Sequence, residues 1–88
     1  MSAAVPVRRL DARVRKVGDT LVVGRAEDVF ELDEVAAFVW RQIDGERTVA
    51  DLGAVLAVEY DIDAAEAAGD VADMLEPLVA HGLITMRD

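Results

Sequence analysis

The sequence is poor in the residue types on which catalysis, metal binding and cross-linking commonly depend. Its 88 residues include no cysteine, a single histidine (His81) and an aromatic content of only 5%. The missing cysteines exclude disulfides, thiolate metal sites and a cysteine nucleophile. No Ser or Thr nucleophile stands beside a base in a recognisable motif, and the carboxylates lack the spacing of a calcium or zinc site. We therefore predict a protein that is not an enzyme and that needs no metal or other cofactor.

Long apolar runs are also missing. No stretch approaches the ~20 apolar residues that a membrane-crossing helix needs, and the N-terminus lacks the apolar core of a signal peptide. We therefore expect a cytoplasmic protein with no membrane partner, a localisation that the missing cysteines also fit. A hydrophobic content of 53% and a charged content of 31% are typical of a globular chain. The length is enough for one small domain.

Basic residues are scarce and unevenly distributed. The formal net charge is −9: residues 1–25 carry six basic and two acidic residues, whereas residues 26–88 carry three basic and sixteen acidic residues. Nucleic-acid binding draws mostly on the neutralisation of phosphates, and no lysine or arginine occurs between Thr48 and His81. We therefore predict no nucleic-acid partner. A basic or neutral peptide fits the acidic region better, and a solvated surface that only maintains solubility is the alternative.

The first residues show no hydrophobic periodicity and include Pro6. Residues 1–11 are therefore predicted to be a flexible lead-in, with a single domain in residues 12–88. Residues 12–24 are rich in β-branched side chains on both sides of the turn pair Gly18-Asp19, which predicts a β-hairpin. The first strand of this hairpin is basic.

Asp28–Leu32 is predicted to be a third short strand, which completes a three-stranded antiparallel meander. Alternation places Phe30 and Leu32 on one face and Val29 and Glu31 on the other. A meander has two edges whose N–H and C=O groups lack a partner and must be covered or used. If Asp28–Leu32 is an edge strand, an extended peptide could add to it as a further strand.

Three helices are predicted after the strands, each preceded by a residue that can cap its first turn. Asp33 precedes the first helix. Thr48 with Asp51, and Asp63 with Glu66, have the spacing of capping boxes before the second and third. These elements predict an α+β fold with a winged helix-turn-helix-like arrangement, in which an N-terminal three-stranded antiparallel sheet is followed by three helices.

The third predicted helix, from Asp63 to His81, has the longest apolar stripe. That stripe comprises Ala64, Ala68, Val71, Leu75 and Leu78, at alternating spacings of four and three residues. Pro77 removes one backbone hydrogen bond, so a kink or local break is expected between Asp73 and Pro77. His81 is expected near the helix C-terminus, where a cation is favoured. Residues 83–86 are expected to form a last strand or an extended tail.

A peptide-binding site is predicted on the edge of the third strand and on one flank of the third helix. Its candidate residues are Val29, Phe30 and Glu31 on the strand and Asp70, Val71 and Met74 on the helix. Asp70 offers a carboxylate to a Lys or Arg of the peptide, and Met74 adapts to varied apolar shapes. Val71 and Phe30 are alternatively core residues, and Asp70 is alternatively a solvated surface charge.

Together these segments resemble the PqqD family, the recognition element for ribosomally made, post-translationally modified peptides (RiPPs). The resemblance is carried by Leu32-Asp33, Phe38-Val39-Trp40, Asp44 to Val49, Asp70-Val71, Met74-Leu75 with Leu78, and His81 to Ile84. It implies that the chain binds the leader of a precursor peptide by strand addition to the third strand and by docking against the third helix. It also implies that the leader is presented to a modifying enzyme: a radical-SAM maturase, a cyclase or a leader peptidase, as in PQQ, lasso-peptide and mycofactocin-type systems.

Two other functions remain open from the sequence. A small winged-helix DNA-binding regulator would need the basic recognition helix that this chain lacks. A structural or dimerisation subunit would use strand-edge pairing, so both a monomer and a homodimer are compatible with the sequence. The basic residues near the N-terminus form either a solvated face or a docking site for an acidic patch on the partner enzyme. They are Arg8, Arg9, Arg13, Arg15 and Lys16.

Overall fold

Two antiparallel sheets and three helices make up the fold in the computed structural model, which describes residues 4–87. The elements are β1 (Val5–Arg8), β2 (Arg13–Val17), β3 (Thr20–Arg25), β4 (Asp28–Leu32), α1 (Glu34–Gln42), α2 (Val49–Tyr60), α3 (Ala64–Ala80) and β5 (Ile84–Arg87). Strands β2, β3 and β4 form a three-stranded sheet, and β1 pairs with β5 in a separate two-stranded sheet. The predicted α+β order of a three-stranded sheet followed by three helices is confirmed.

The three-stranded sheet has one buried face. Its order is β2-β3-β4, with both pairs antiparallel. Leu21 and Val23 of β3 and Leu32 of β4 are buried, because alternation along a strand sends every second side chain toward the core. By contrast, β2 is exposed along its whole length. It therefore lies at the margin of the fold, outside the core.

The prediction for residues 1–11 is wrong at Val5–Arg8, where the structure has a strand in place of a flexible lead-in. The register of β1 with β5 runs from Val5 opposite Arg87 to Arg8 opposite Ile84. Pro6 is buried within β1. A strand with only one neighbour tolerates proline, because one side of its backbone needs no N–H donor. Residues 1–3 of the predicted lead-in lie outside the described residues.

The three predicted N-caps are confirmed. Asp33 Oδ1 accepts a hydrogen bond from the backbone N–H of Ala36 at 2.8 Å. Thr48 and Asp51 exchange two bonds of 3.0 Å in a full capping box. Asp63 accepts from two backbone N–H groups of the first turn of α3. These caps satisfy donors that a helix cannot satisfy itself, so they fix where each helix begins.

Helix α3 runs without interruption from Ala64 to Ala80 and contains Pro77, so the predicted local break is absent. Pro77 and Asp73 are both exposed. The carbonyl of Asp73, which has lost its intrahelical donor, can therefore bond to water instead. The continuous helix buries Val71, Leu75 and Leu78 in one core with the other helices and the sheet.

The end of α3 is a Schellman turn. The N–H of Leu83 donates to the carbonyl of Leu78 at 2.8 Å, and the N–H of Gly82 donates to that of Val79 at 3.1 Å. Gly82 has φ of +77°, a left-handed conformation that glycine adopts without steric cost. The turn directs the chain into β5, which pairs with β1.

Helices α2 and α3 approach closely at Gly53. A Cβ atom at this position would lie 2.8 Å from Ala68 Cα, a distance that side chains do not tolerate. Gly69, by contrast, is exposed on α3, and a Cβ there would meet nothing within 4 Å. The position of α3 over α2 therefore depends on a glycine at 53 and not on the one at 69.

We expect Gly53→Ala to lower the free energy of unfolding by about 1–3 kcal/mol, since overpacking costs more than the gain in helix propensity. Gly69→Ala is the matched control and should raise it by about 0.5–1 kcal/mol. Urea unfolding followed by the fluorescence of Trp40, the single and fully buried tryptophan, measures both. Equal stability of the two variants would contradict the close approach.

Candidate functional site

Strand β4 is an edge of its sheet. It is hydrogen-bonded to β3 on one side, and no further strand within residues 4–87 lies on the other. The predicted open border at the third strand of the meander is therefore confirmed. Unpaired N–H and C=O groups along such an edge are ready to accept an added strand.

One end of β4 contacts the C-terminus of α3. His81, the C-cap residue of α3, places Nδ1 3.2 Å from Asp28 Oδ1. Its ring centroid lies 5.2 Å from that of Phe30, with the rings tilted by 60°. Asp28 begins β4 and Phe30 is its central residue, so these contacts hold the end of α3 against the strand.

The other end of β4 leads into a small cleft beside the middle of α3. The cleft encloses about 180 Å³ and is lined by Asp33, Val35, Ala36, Val39, Leu56, Asp70 and Met74. Asp33 directly follows β4, whereas Asp70 and Met74 belong to α3. Helix α3 thus runs antiparallel beside β4, and we call the space between them the β4–α3 groove.

The cleft combines an apolar floor with a carboxylate rim. Val39 and Leu56 are buried at its floor, and Asp33 and Asp70 are exposed. Neither carboxylate takes part in the four ion pairs described for residues 4–87. A long basic side chain suits this lining, because its methylene groups can cover the floor while its charge stays at the rim.

Glu34, next to Asp33, is engaged elsewhere. Its Oε2 accepts a hydrogen bond from the Tyr60 hydroxyl of α2 at 3.2 Å. Partial removal from water and the negative charge of Glu34 raise the pKa of Tyr60 above its usual value. The phenol is protonated in neutral solution and donates this hydrogen bond. Glu34 is thus engaged by Tyr60, and the carboxylates that line the cleft are Asp33 and Asp70.

The three candidates on β4 are divided between the two faces of the sheet. Phe30 is half-buried on the inner face and packs against the core and His81. Val29, 64% exposed, and Glu31 project from the opposite, outer face. Alternation predicted this division correctly, and the structure adds that the inner face is the one turned toward α3.

The three candidates on α3 are divided between groove and core. Asp70 and Met74 line the cleft together, which agrees with the predicted placement on one flank of the helix. Val71 has 0% exposure and lies in the core, as its alternative interpretation held. Its side chain supports the helix from beneath and offers no surface to a ligand.

Sequence reasoning did not assign Asp28 and Asp33 to the groove. Asp33 was interpreted only as a helix cap, and Asp28 only as the start of a strand. His81 was expected at the C-terminus of the third helix, and helical spacing placed it on the same flank as Asp70 and Met74. The contact between Asp28 and His81 depends on how α3 is placed over the sheet, which no local pattern encodes.

No three His, Asp or Glu side chains in the described part of the chain are grouped so that they could hold a metal ion. Among residues 4–87 there is likewise no helix with the length and apolarity needed to cross a bilayer.

The fold and groove define a class: a small winged-helix-like α+β domain with an open sheet edge beside its last helix. Residues 7–84 match the sequence profile of the family described as coenzyme PQQ synthesis protein D (PqqD). The chain belongs to this family, as the resemblance predicted. A curated relative, the PqqA binding protein of Xanthomonas oryzae pv. oryzae (strain PXO99A), is 34% identical over 83 residues, which are 92% of this chain and 90% of the relative.

Solved structures share the fold. The PqqD truncation of Methylobacterium extorquens PqqCD, described as a functional and stand-alone RiPP recognition element, superposes with a TM-score of 0.79 at 29% identity, covering 92% of this chain and 88% of that one. TbiB1, solved in complex with the TbiA(β) leader peptide, has a TM-score of 0.75 at 19% identity, with 88% and 92% covered. At that identity the second likeness concerns the fold alone. The M. extorquens and Xanthomonas relatives are named for recognition or binding and not for a reaction.

Stability measurements separate the core residue of α3 from its groove residue. Val71→Ala should lower the free energy of unfolding by about 2 kcal/mol, because it removes two buried methyl groups and leaves a cavity. Asp70→Asn should change it by less than about 0.5 kcal/mol, as expected for an exposed position. Thermal unfolding monitored by circular dichroism tests both, and a large loss for Asp70→Asn would show that this carboxylate is structural.

Proposed function

We propose that this protein is a non-catalytic peptide-recognition protein, which binds the leader of a ribosomally synthesised precursor peptide and presents it to a modifying enzyme. The observation that carries the proposal is the open edge of β4 beside α3, with an apolar and acidic cleft at one end of the groove. Membership of the PqqD family supports it, and so does the name of the Xanthomonas relative, a PqqA binding protein.

The leader would bind as an additional strand on β4. Its backbone would satisfy the free N–H and C=O groups of this edge, each hydrogen bond contributing about 1 kcal/mol net. Alternate leader side chains would then point toward α3. A Lys or Arg among them would place its charge between Asp33 and Asp70 and its methylene groups near Met74, and an apolar side chain would contact Phe30.

The remaining candidates would act around the bound strand. Val29 and Glu31, on the outer face, would neighbour those leader side chains that point away from α3. Val71 would contribute from the core, by holding Asp70 and Met74 in place. The site needs no metal or cofactor for this task, since strand addition and side-chain docking account for the binding.

The modifying enzyme would be a radical-SAM maturase, a cyclase or a leader peptidase, and we expect it to meet this protein in the cytoplasm. The monomer already contains the whole β4–α3 groove. A homodimer formed through β4 would occupy the edge that the leader requires. The alternative of a DNA-binding regulator has no support in this region, because α2 and α3 contain no Lys or Arg.

The proposal is tested by titrating ¹⁵N-labelled protein with the leader of the short precursor encoded beside its gene. Saturable amide shifts are expected in Asp28–Asp33 and Asp70–His81, because these segments form the two walls of the groove. An absence of binding to every neighbouring precursor at high micromolar concentration would refute leader recognition. Shifts confined to other segments would refute the β4–α3 groove as its site.

Charge at the cleft should set part of the leader affinity. Asp70→Asn should weaken binding by about two- to tenfold, the range expected for a partly exposed charged contact. Glu76→Gln is the matched control, since Glu76 is exposed on α3, does not line the cleft and has the same charge. Isothermal titration calorimetry at constant ionic strength compares them. Equal losses for the two variants would mean that only the net charge matters.

A further inference from the structure

The outer face of the three-stranded sheet contains a second concave surface, separate from the β4–α3 groove. One row of paired residues across this face is Arg13, Gly24 and Val29, and the next is Arg15, Val22 and Glu31. A depression of about 550 Å³ lies over Gly24, which has no side chain to fill it. We call it the outer sheet depression.

This depression is positively charged, although the whole chain has a net charge of −9. It is lined by Arg13, Arg15 and Arg25 and by one carboxylate, Asp11. Asp11 is already neutralised, because its Oδ2 lies 2.9 Å from Nε of Arg25 and its Oδ1 lies 3.3 Å from Nε of Arg9. Arg13 and Arg15 take part in none of the ion pairs described for residues 4–87.

Between the arginines the surface is apolar. Val22 and Val29 line the depression, and Val29 is 64% exposed. Since the helices pack against the opposite face, no element in the described part of the chain covers these residues. Carboxylates among apolar side chains would satisfy both features, because arginine pairs with carboxylates through several donors at once. Glu31, opposite Val22 at the β4 margin of the same face, is an unfavourable charge for such a ligand.

We propose that the outer sheet depression is the docking surface for the modifying enzyme, and that it receives an acidic loop with interspersed apolar residues. This inference rests on the proposed function and adds the surface and the chemistry of the partner. Charge complementarity selects this occupant: the acidic groove attracts a basic leader, and the depression attracts an acidic segment. The two ligands therefore do not compete for one site.

The position of the depression links docking to the presence of the leader. A leader strand on β4 would lie about 4.8 Å from it and would extend the sheet by one strand. Its outward side chains would then continue the two rows that end at Val29 and Glu31. An enzyme loop on the outer face would contact the protein and the leader together, so the loaded protein presents a larger docking surface than the empty one.

Two capped synthetic peptides test the inference on the protein alone: Glu-Leu-Glu-Val-Glu-Leu-Glu and its counterpart with Lys in place of Glu. At low salt, the acidic peptide should shift amides of Arg13–Arg15, Val22–Gly24 and Val29 in ¹⁵N-labelled protein, against the repulsion of the net charge. The basic peptide should shift Asp28–Asp33 and Asp70–Met74. If only the basic peptide binds as described, the outer sheet depression is refuted as a docking surface and leader recognition stands. If only the acidic peptide binds as described, the β4–α3 groove is refuted as a site for basic side chains.

Adjacent residues of β2 supply a matched pair of variants. Arg15 lines the depression, whereas Lys16 pairs with Leu21 and points to the opposite face. Arg15→Gln should weaken binding of the acidic peptide by about three- to tenfold and leave binding of the basic peptide unchanged. Lys16→Gln should weaken it by less than about twofold. Equal effects, or shifts confined to Arg8–Leu10, would overturn the proposal, because they would indicate diffuse attraction to the basic segment.

Discussion

The unused hydrogen-bonding capacity along one side of β4 is the constraint on which the rest of the structure depends. An exposed sheet edge is a liability for a protein, because any extended chain can pair with its free N–H and C=O groups. Here α3 restricts what can approach. The core contacts of Val71, Leu75 and Leu78, the close approach at Gly53 and the contact of His81 with Asp28 fix its distance from β4. Helix α3 therefore bounds the space beside the inner face of this edge.

The distribution of charge gives the two sides of the domain different chemistry. Residues 1–25, which include β1, β2 and β3, contain six of the nine basic residues. Residues 26–88, which include β4 and the three helices, contain sixteen of the eighteen acidic residues. The groove lies where the acidic helices meet β4, and the outer sheet depression lies on the opposite face of the same sheet. The two proposed ligands would therefore meet opposite charges, each attracted to one site and repelled from the other.

Local patterns predicted much of this fold. Helix caps at Asp33, Thr48 and Asp63 and the alternation along β4 depend on neighbouring residues, and the structure agrees with them. Strand β1 was missed because it has four residues, contains proline and pairs with the far end of the chain. The local break at Pro77 was overestimated because its cost depends on whether the freed carbonyl meets water. Periodicity placed Val71 on the central stripe of α3, and Val71 is a core residue. That the flank with Met74 faces β4 depends on the position of α3 over the sheet, which periodicity alone does not contain.

The pairing of β1 with β5 brings the two termini of the domain together, since Val5 lies opposite Arg87. Arg87 also donates to the carbonyl of Gly45, in the connection between α1 and α2, away from the contact between β4 and α3. A covalent junction at either terminus would therefore leave the domain from the same point and in the same orientation toward a tethered neighbour. The M. extorquens relative was solved as a truncation of PqqCD, and the adjacent ends of this fold would let a linker join either of them without crossing the β4–α3 groove.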